Sequence, residues 1–158
     1  MTHKITQPLK WAAIALAALT ASASIQTSAT ADDFYVVVNN SNGYSADIAD
    51  MKTQIRRFYL KESKNWPGGS TVVSFSRKPS HVAYHAMLNG LLKMSPSEFE
   101  EHWARKKQTT GDTRPRSVGS TNILLRLIKR TPGAIGIIKK ADSTSLPDGV
   151  KVLFEFAS

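Results

Sequence analysis

The stretch FYVVVNN at residues 34–40 decides the fold class of this 158-residue chain. Its first five residues are aromatic or β-branched and do not alternate with polar ones, which predicts a short strand buried on both faces. The run NNSNG at residues 39–43 is rich in turn-forming residues and ends this strand in a loop. A strand of this kind needs helices to cover both faces of its sheet.

The segment after this strand has the periodicity of an amphipathic helix. Between residues 46 and 60, apolar side chains recur at intervals of three and four, and Ser45 precedes them as the expected N-cap. A strong turn sequence, WPGG at residues 66–69, leads into the β-branched and aromatic run TVVSF at residues 71–75. The chain therefore passes from helix back to strand.

Two further helices are predicted from their start signals. Ser80 is the expected N-cap of a helix that runs through Leu92. The sequence SPSE at residues 95–98 combines a Ser N-cap, a Pro at the first helical position and a Glu that closes a capping box. Residues 108–119 are polar and contain two glycines and a proline, which predicts a surface loop.

The last part of the chain predicts one helix and two strands. Apolar residues at positions 123, 124, 127 and 128 share one helix face, and the sequence TPG at residues 131–133 ends that helix. The apolar run at 134–138 predicts a short strand, and residues 150–156 alternate as in a strand at or near a sheet edge. The expected fold is α/β, with a mostly parallel sheet flanked by helices, because helical crossovers separate the strands.

The N-terminal part has the pattern of a secretory signal peptide. A basic start with Lys4 and Lys10 precedes the apolar run 11–19, which is too short to span a bilayer, and small residues follow. Cleavage after Ala31 is preferred to cleavage after Ala23, and a retained N-terminal anchor is the alternative.

Removal of residues 1–31 would leave one domain, residues 32–158, expected in the periplasm with no integral membrane segment. The whole chain has a formal net charge of +9, and the 19 basic and 12 acidic residues of the domain leave +7. The basic residues are scattered without interleaved aromatic side chains, so nucleic acid is not an expected partner. Anionic solutes and anionic envelope surfaces fit this charge, while plain solvation of helix faces explains it equally well.

The inventory of reactive side chains argues against catalysis. The chain has no cysteine, which excludes disulfides, thiolate metal sites, a Cys nucleophile and a lipid-modified N-terminal Cys. His81, His85 and His102 are the candidates for a zinc or copper site, but the sequence fixes no carboxylate near them, so no metal is expected. No motif pairs a nucleophile with a base, and we expect neither an enzyme nor a cofactor.

Six stretches of the chain together resemble a known family. They are FYVVVNN (34–40), IRRFYLKESKNWPGG (55–69), MSPSEFEEHW (94–103), TTGDTRPRSVGS (109–120), TPGAIGIIKK (131–140) and LPDGVKVLFEF (146–156). In order and spacing they are similar to phosphate ABC transporter substrate-binding proteins. The resemblance implies a single lobe of a type II periplasmic binding protein. Its two-lobed members hold phosphate between the lobes with hydroxyls, an Arg and backbone N–H groups at helix N-termini.

The resemblance also implies candidate anion-binding residues. Arg77, Ser80 and His81 stand at the start of the second helix, where the two-lobed members have an Arg and a Ser-Gly-Thr group. Gly119 and Ser120 offer a second helix start. The first N–H groups of a helix lack partners and carry partial positive charge, so a helix start attracts anions.

Two features depart from the family. His81 and Val82 stand where its members have Gly and Thr, and the chain has room for one of the two lobes. In the plainer alternative, Ser80 and Ser120 only cap helices and Arg77 is an exposed loop cation.

The resemblance and the basic charge favour a periplasmic solute-binding module for a small anion such as phosphate, associated with ABC-type transport or sensing. Its partners would then be phosphate and a transporter or envelope protein. The alternative is a non-catalytic envelope protein–protein interaction module that keeps the binding-protein lobe and uses its surface to contact another protein.

We predict that the exported protein begins at Asp32, or at Ser24 if the earlier site is cut, because small residues precede both positions. Intact-mass spectrometry of the protein from the periplasmic fraction checks this. Soluble protein that retains Met1 would contradict it.

Overall fold

A computed structural model describes residues 31–158, and the predicted signal peptide lies outside the described residues apart from Ala31. The strands are β1 (Asp33–Asn39), β2 (Val73–Arg77), β3 (Arg116–Val118), β4 (Ala134–Lys139) and β5 (Val150–Ala157). The helices are α1 (Ile48–Tyr59), α2 (Val82–Ala86), α3 (Pro96–Thr110) and α4 (Thr121–Arg130). A π-helical turn over Met87–Leu92 extends α2, and a 3-10 turn over Lys140–Asp142 follows β4.

The five strands form one sheet in the order β3-β2-β4-β1-β5. β2 pairs in parallel with β3 and with β4, whereas β1 pairs antiparallel with β4 and with β5. Four of the five strands in residues 31–158 therefore run in one direction, which confirms the α/β prediction. The pairing is mixed because β1 enters between β4 and β5 in the reverse direction. β2, β3 and β4 all finish at the same end of the sheet. We call this end the carboxyl edge.

The sheet is covered on both faces. Val36 and Val38 of β1 belong to the core under α1, α2, the π-helical turn and α3, while Val37 belongs to the core under α4. All three side chains are fully buried, which confirms the prediction of a strand hidden on both faces. β5 lies at the edge of the sheet, as its alternating sequence predicted. In residues 31–158, no helix is long and apolar enough to cross a bilayer.

The predicted N-cap of α3, Ser95, is confirmed, whereas the predicted N-cap of α1, Ser45, is wrong. Ser95 accepts a hydrogen bond from the backbone N–H of Glu98, whose carboxylate accepts one from the Ser95 N–H at 2.7 Å. The N-cap of α1 is Asp47 rather than Ser45, since the Asp47 carboxylate accepts from the Asp50 N–H at 2.9 Å. A carboxylate at this position also complements the partial positive charge of the helix start.

The prediction of a loop over residues 108–119 is wrong at both ends. α3 continues through Thr110 and stops at Gly111, which has a positive φ of 69°. Residues 116–118 form β3, a three-residue edge strand in parallel with β2. The sequence Arg-Ser-Val has little preference for a strand of its own, so pairing with β2 determines this element.

We predict that Ser95→Ala destabilises the protein by about 1 kcal/mol, because the N-cap hydrogen bond to α3 is lost. Ser97→Ala is the matched control: it removes a hydroxyl from the first turn of the same helix without touching the cap. Urea unfolding of both variants measures the difference. Equal midpoints for the two variants would contradict the prediction.

Candidate functional site

The carboxyl edge brings together the ends of three parallel strands. Arg77 is the last residue of β2, and β3 is followed directly by Gly119 and Ser120. β4 ends at Lys139 and leads into the 3-10 turn that contains Asp142. In α/β sheets, ligands bind outside the carboxyl ends of the strands, so this edge is the place to look for a site.

Arg77 is a buried cation and the centre of this edge. The residue is 4% exposed. Its Nη1 donates to Thr121 Oγ1 at 2.6 Å and its Nη2 donates to the Gly119 carbonyl at 3.1 Å. Its Nε is buried and has no hydrogen-bond partner within residues 31–158. The plainer alternative of an exposed loop cation is therefore wrong, because Arg77 still belongs to β2 and lies in register with Val118 of β3.

The charge of Arg77 is only indirectly balanced. Burial lowers the pKa of its guanidinium, and the charge of Asp142 opposes this change. An arginine nevertheless remains charged at neutral pH. Asp142 is linked to Arg77 through the Thr121 hydroxyl, which lies 3.4 Å from Asp142 Oδ2. A buried cation without a directly bonded carboxylate is costly in free energy, and an anion at this position would offset that cost.

His81, rather than Ser80, is the N-cap of α2. Its Nδ1 accepts a hydrogen bond from the Ala83 N–H at 3.1 Å, and its Nε2 lies 3.6 Å from Asp142 Oδ2. Because Nδ1 must be unprotonated to accept, the cap selects the neutral tautomer with its proton on Nε2. Burial and the Arg77 charge lower the pKa of His81, against an opposing effect of Asp142. His81 therefore offers an N–H donor at this edge without adding a further positive charge.

The prediction that Ser80 caps the helix is wrong because the chain makes a turn first. The Lys78 carbonyl accepts from the His81 N–H at 2.9 Å, which closes a turn over Lys78–His81 with Pro79 in its second position. Proline favours that position because its φ is already fixed at the required value. Ser80 is exposed in this turn, directly before His81.

The second predicted helix start is present at the same edge. Ser120 is the N-cap of α4, and its Oγ accepts from the Ile123 N–H at 3.3 Å. Gly119 precedes it with its carbonyl occupied by Arg77. A Cβ at Gly119 would lie 3.6 Å from Cε of Lys78, so the lysine side chain lies over this glycine. Of the other predicted residues, Gly119 is hydrogen-bonded to Arg77 and Ser120 follows it in the chain. His81 is related to Arg77 through Asp142 and Thr121, and Ser80 lies beside His81 in the turn.

Thr121, Lys139 and Asp142 belong to the edge but were not identified from the sequence. Thr121 directly follows the predicted helix start, and no sequence pattern distinguishes it from an ordinary residue in the first turn of a helix. Asp142 could have been identified from the sequence, because it follows a predicted parallel strand. The carboxyl ends of parallel strands meet at one end of the sheet, where ligands bind.

The three histidines considered as metal ligands lie in different surroundings. The His85 ring packs against Tyr84, with ring centroids 5.6 Å apart. His102 Nε2 lies 3.0 Å from the Leu60 carbonyl. Within residues 31–158, no group of three or more His, Asp or Glu side chains is placed to hold a metal ion.

Solved structures share this architecture. A phosphate transport receptor from Vibrio cholerae superposes with a TM-score of 0.55 at 16% identity, over 77% of this chain and 45% of the receptor. The chain has the fold of a phosphate-receptor lobe. A putative phosphate ABC transporter substrate-binding protein from Clostridium perfringens, solved with bound phosphate, gives 0.54 at 21% identity over 77% and 44%. PstS from Borrelia burgdorferi gives 0.56 at 16% identity over 77% and 46%.

The likeness to these receptors is one of fold. The chain spans less than half the length of each of them. No protein-family model and no curated protein matches the sequence. The resemblance found in the sequence is thus confirmed at the level of the lobe, and the ligand of this chain has to be argued from its own carboxyl edge.

We predict that His81 makes the stability of the protein depend on pH. Its pKa is lowered in the folded state, so the unfolded chain binds the proton more tightly. The stabilising contribution is therefore present above about pH 6.5, the ordinary value for histidine, and is lost as the pH falls through the lower folded value. Protonation of Nδ1 also breaks the cap of α2.

His81→Asn is the matched variant, because asparagine caps helices and does not titrate. Denaturant unfolding at pH 7 and at pH 5 should show a larger loss of stability in the wild type than in His81→Asn. His85 and His102 are common to both proteins and cancel in the comparison. Parallel losses in the two proteins would contradict the prediction.

Proposed function

We propose that the chain is a solute-binding module that takes a small anion, phosphate first, at the carboxyl edge. The observation that carries this proposal is the buried guanidinium of Arg77, whose Nε has no partner within residues 31–158. α4 starts beside it, with its first-turn amide groups directed away from the helix body. A permanent cation next to a ten-residue helix start is a suitable place for an anion.

Donors for the anion come from three elements. Arg77 has five N–H donors and uses two of them in the hydrogen bonds to Thr121 and Gly119. Neutral His81 presents its Nε2 proton from the start of α2, and Lys78 is an exposed cation between the two. The anion would be held by charge-assisted hydrogen bonds from Arg77, supplemented by neutral N–H groups.

Asp142 favours phosphate over sulfate. A carboxylate can only accept hydrogen bonds, so it repels a fully ionised oxyanion but binds one that still carries a proton. Phosphate keeps at least one P–OH group at neutral pH, whereas sulfate has none. Because Asp142 Oδ2 lies near both Thr121 and His81, a protonated oxygen of phosphate has an acceptor at the same edge.

The similar structures support a binding role rather than an enzymatic one. They are a receptor and substrate-binding proteins, and one of them contains phosphate. We infer by analogy that this chain works in the periplasm after export and that an ABC transporter or a sensing partner takes part. Because the analogy rests on the fold alone, anion binding is the first property to test.

An envelope protein–protein interaction module is the second candidate. One observation favours it: both terminal nitrogens of Arg77 already donate hydrogen bonds within the protein, to Thr121 and to Gly119. In that case Arg77 would only tie β2 to the start of α4. The absence of anion binding at the carboxyl edge would favour this candidate.

We predict that Arg77→Met weakens phosphate binding by roughly one to two orders of magnitude, because a charge-assisted hydrogen bond is lost. Arg57→Met is the control, since it removes an exposed cation of α1 and changes the net charge equally. NMR titration with phosphate and with sulfate measures both affinity and place. Shifts are expected at Ser120, Thr121 and His81, with phosphate bound more tightly.

Arg77 is buried, so its replacement also affects folding. Arg77→Lys serves as a second variant that keeps the charge and loses the planar fork, and its affinity should fall between those of the wild type and Arg77→Met. Amide spectra recorded before titration verify that each variant is folded. Equal phosphate affinity in the wild type and in folded Arg77→Met would overturn the proposal.

A further inference from the structure

A groove beside α4 adjoins the anion site at the carboxyl edge. This α4 groove lies between α4 and residues 142–147 and has a volume of about 450 Å³. Its lining residue Asn122 directly follows Thr121, the residue that accepts a hydrogen bond from Arg77. Asp142 also lines the groove, and its Oδ2 lies 3.4 Å from the Thr121 hydroxyl. Pockets for organic ligands span about 300–1,000 Å³, so the groove has room for a ligand much larger than inorganic phosphate.

The wall of the groove that α4 forms carries two cations. Arg126 and Lys129 both line the groove, and both are exposed. Within residues 31–158, neither of them forms an ion pair with a carboxylate. The stem of Lys129 packs on Gly149, where an added Cβ would lie 3.1 Å from the lysine Cγ. The groove therefore presents positive charge at one wall, and no carboxylate of the described chain pairs with it.

The spacing along α4 sets the length of a ligand that would reach both places. Asn122, Arg126 and Lys129 follow each other at intervals of four and three residues, so they share one face of the helix. Arg126 and Lys129 lie five and eight residues after Thr121, which is about 7.5 and about 12 Å along the helix axis. Inorganic phosphate cannot span this distance. A ligand with two anionic groups joined by a chain of several atoms can.

The residues between the two places fit a body that carries hydroxyl groups. The Asp142 carboxylate only accepts hydrogen bonds, so it repels a second ionised group beside it and binds a hydroxyl. The Asn122 amide and the Ser143 hydroxyl add polar groups, and Leu125 and Pro147 add apolar surface. A sugar or polyol has hydroxyls at its edges and C–H groups on its faces. In a phosphate monoester, such a hydroxyl replaces the P–OH group as the donor to Asp142.

We propose that the anion bound at Arg77 is one end of a sugar or polyol phosphate whose second anionic group binds Arg126 and Lys129. This proposal rests on the anion-binding function proposed above and names the class of its ligand. The second group adds charge-assisted hydrogen bonds to those of the first. Because both groups belong to one molecule, the second binding step occurs at a high effective concentration.

The test is isothermal titration of the protein with inorganic phosphate, a hexose monophosphate and a hexose bisphosphate. The bisphosphate has one phosphate at each end of its six-carbon chain. It should bind about tenfold more tightly than the monophosphate, because a further charge-assisted interaction forms. The difference should shrink as salt is added, since Arg126 and Lys129 are exposed. Equal affinities for the two sugar phosphates would overturn the proposal.

The double variant Arg126→Met/Lys129→Met removes both cations of the groove and keeps apolar stems of similar length. It should bind the bisphosphate no more tightly than the monophosphate. Arg57→Met/Arg130→Met is the control, since it removes two exposed cations that do not line the groove. This control should keep the tenfold difference. The same loss in both double variants would show a general effect of net charge and would contradict the proposal. Amide spectra verify that the variants are folded.

The outcomes separate this proposal from the function on which it rests. If inorganic phosphate shifts the amide signals of Ser120 and Thr121 but the bisphosphate binds no more tightly than the monophosphate, the ligand class is overturned and the anion site stands. If no phosphate compound shifts a signal at the carboxyl edge, both are overturned. A bisphosphate that shifts Ser120, Thr121 and the groove residues Asn122 and Arg126 together supports both.

Discussion

The buried guanidinium of Arg77 is the constraint on which the carboxyl edge depends. A charge in the interior must be hydrogen-bonded, because its removal from water costs far more than one ordinary contact returns. Here the bonds go to Gly119 and Thr121, so the end of β2 is fixed to the start of α4. That link also sets the register of the short strand β3, where Arg77 lies opposite Val118.

This fixation has a chemical consequence. Arg77 is held in the interior and cannot move out to a ligand as an exposed lysine can, so the edge is preorganised for the anion proposed above. A preorganised donor loses little conformational entropy when it binds. The protein without ligand, however, keeps a buried charge without a directly bonded carboxylate. An anion that binds the folded state would therefore also raise its stability, by mass action on folding.

Local sequence patterns were sufficient for most elements and for the fold class. The run at residues 34–38 gave β1 because five apolar residues without alternation fit a strand covered on both faces, and Ser95 with Glu98 gave the start of α3. The reversed direction of β1 could not be predicted, since it depends on which strands lie on either side of it in the sheet. β3 was missed because its pairing with β2, not its own composition, makes it a strand.

The sequence identified most residues of the carboxyl edge that are discussed above, but not their surroundings. The structure hydrogen-bonds Arg77 to Gly119, next to Ser120, and places His81 3.6 Å from Asp142 at the same edge. However, Arg77 is buried rather than exposed and His81 rather than Ser80 caps α2. These two differences act together. If Nδ1 of His81 carried a proton, α2 would lose its cap and a further cation would lie near Arg77. Because the cap requires an unprotonated Nδ1, the neutral imidazole presents an N–H group at the edge and adds no further positive charge beside Arg77.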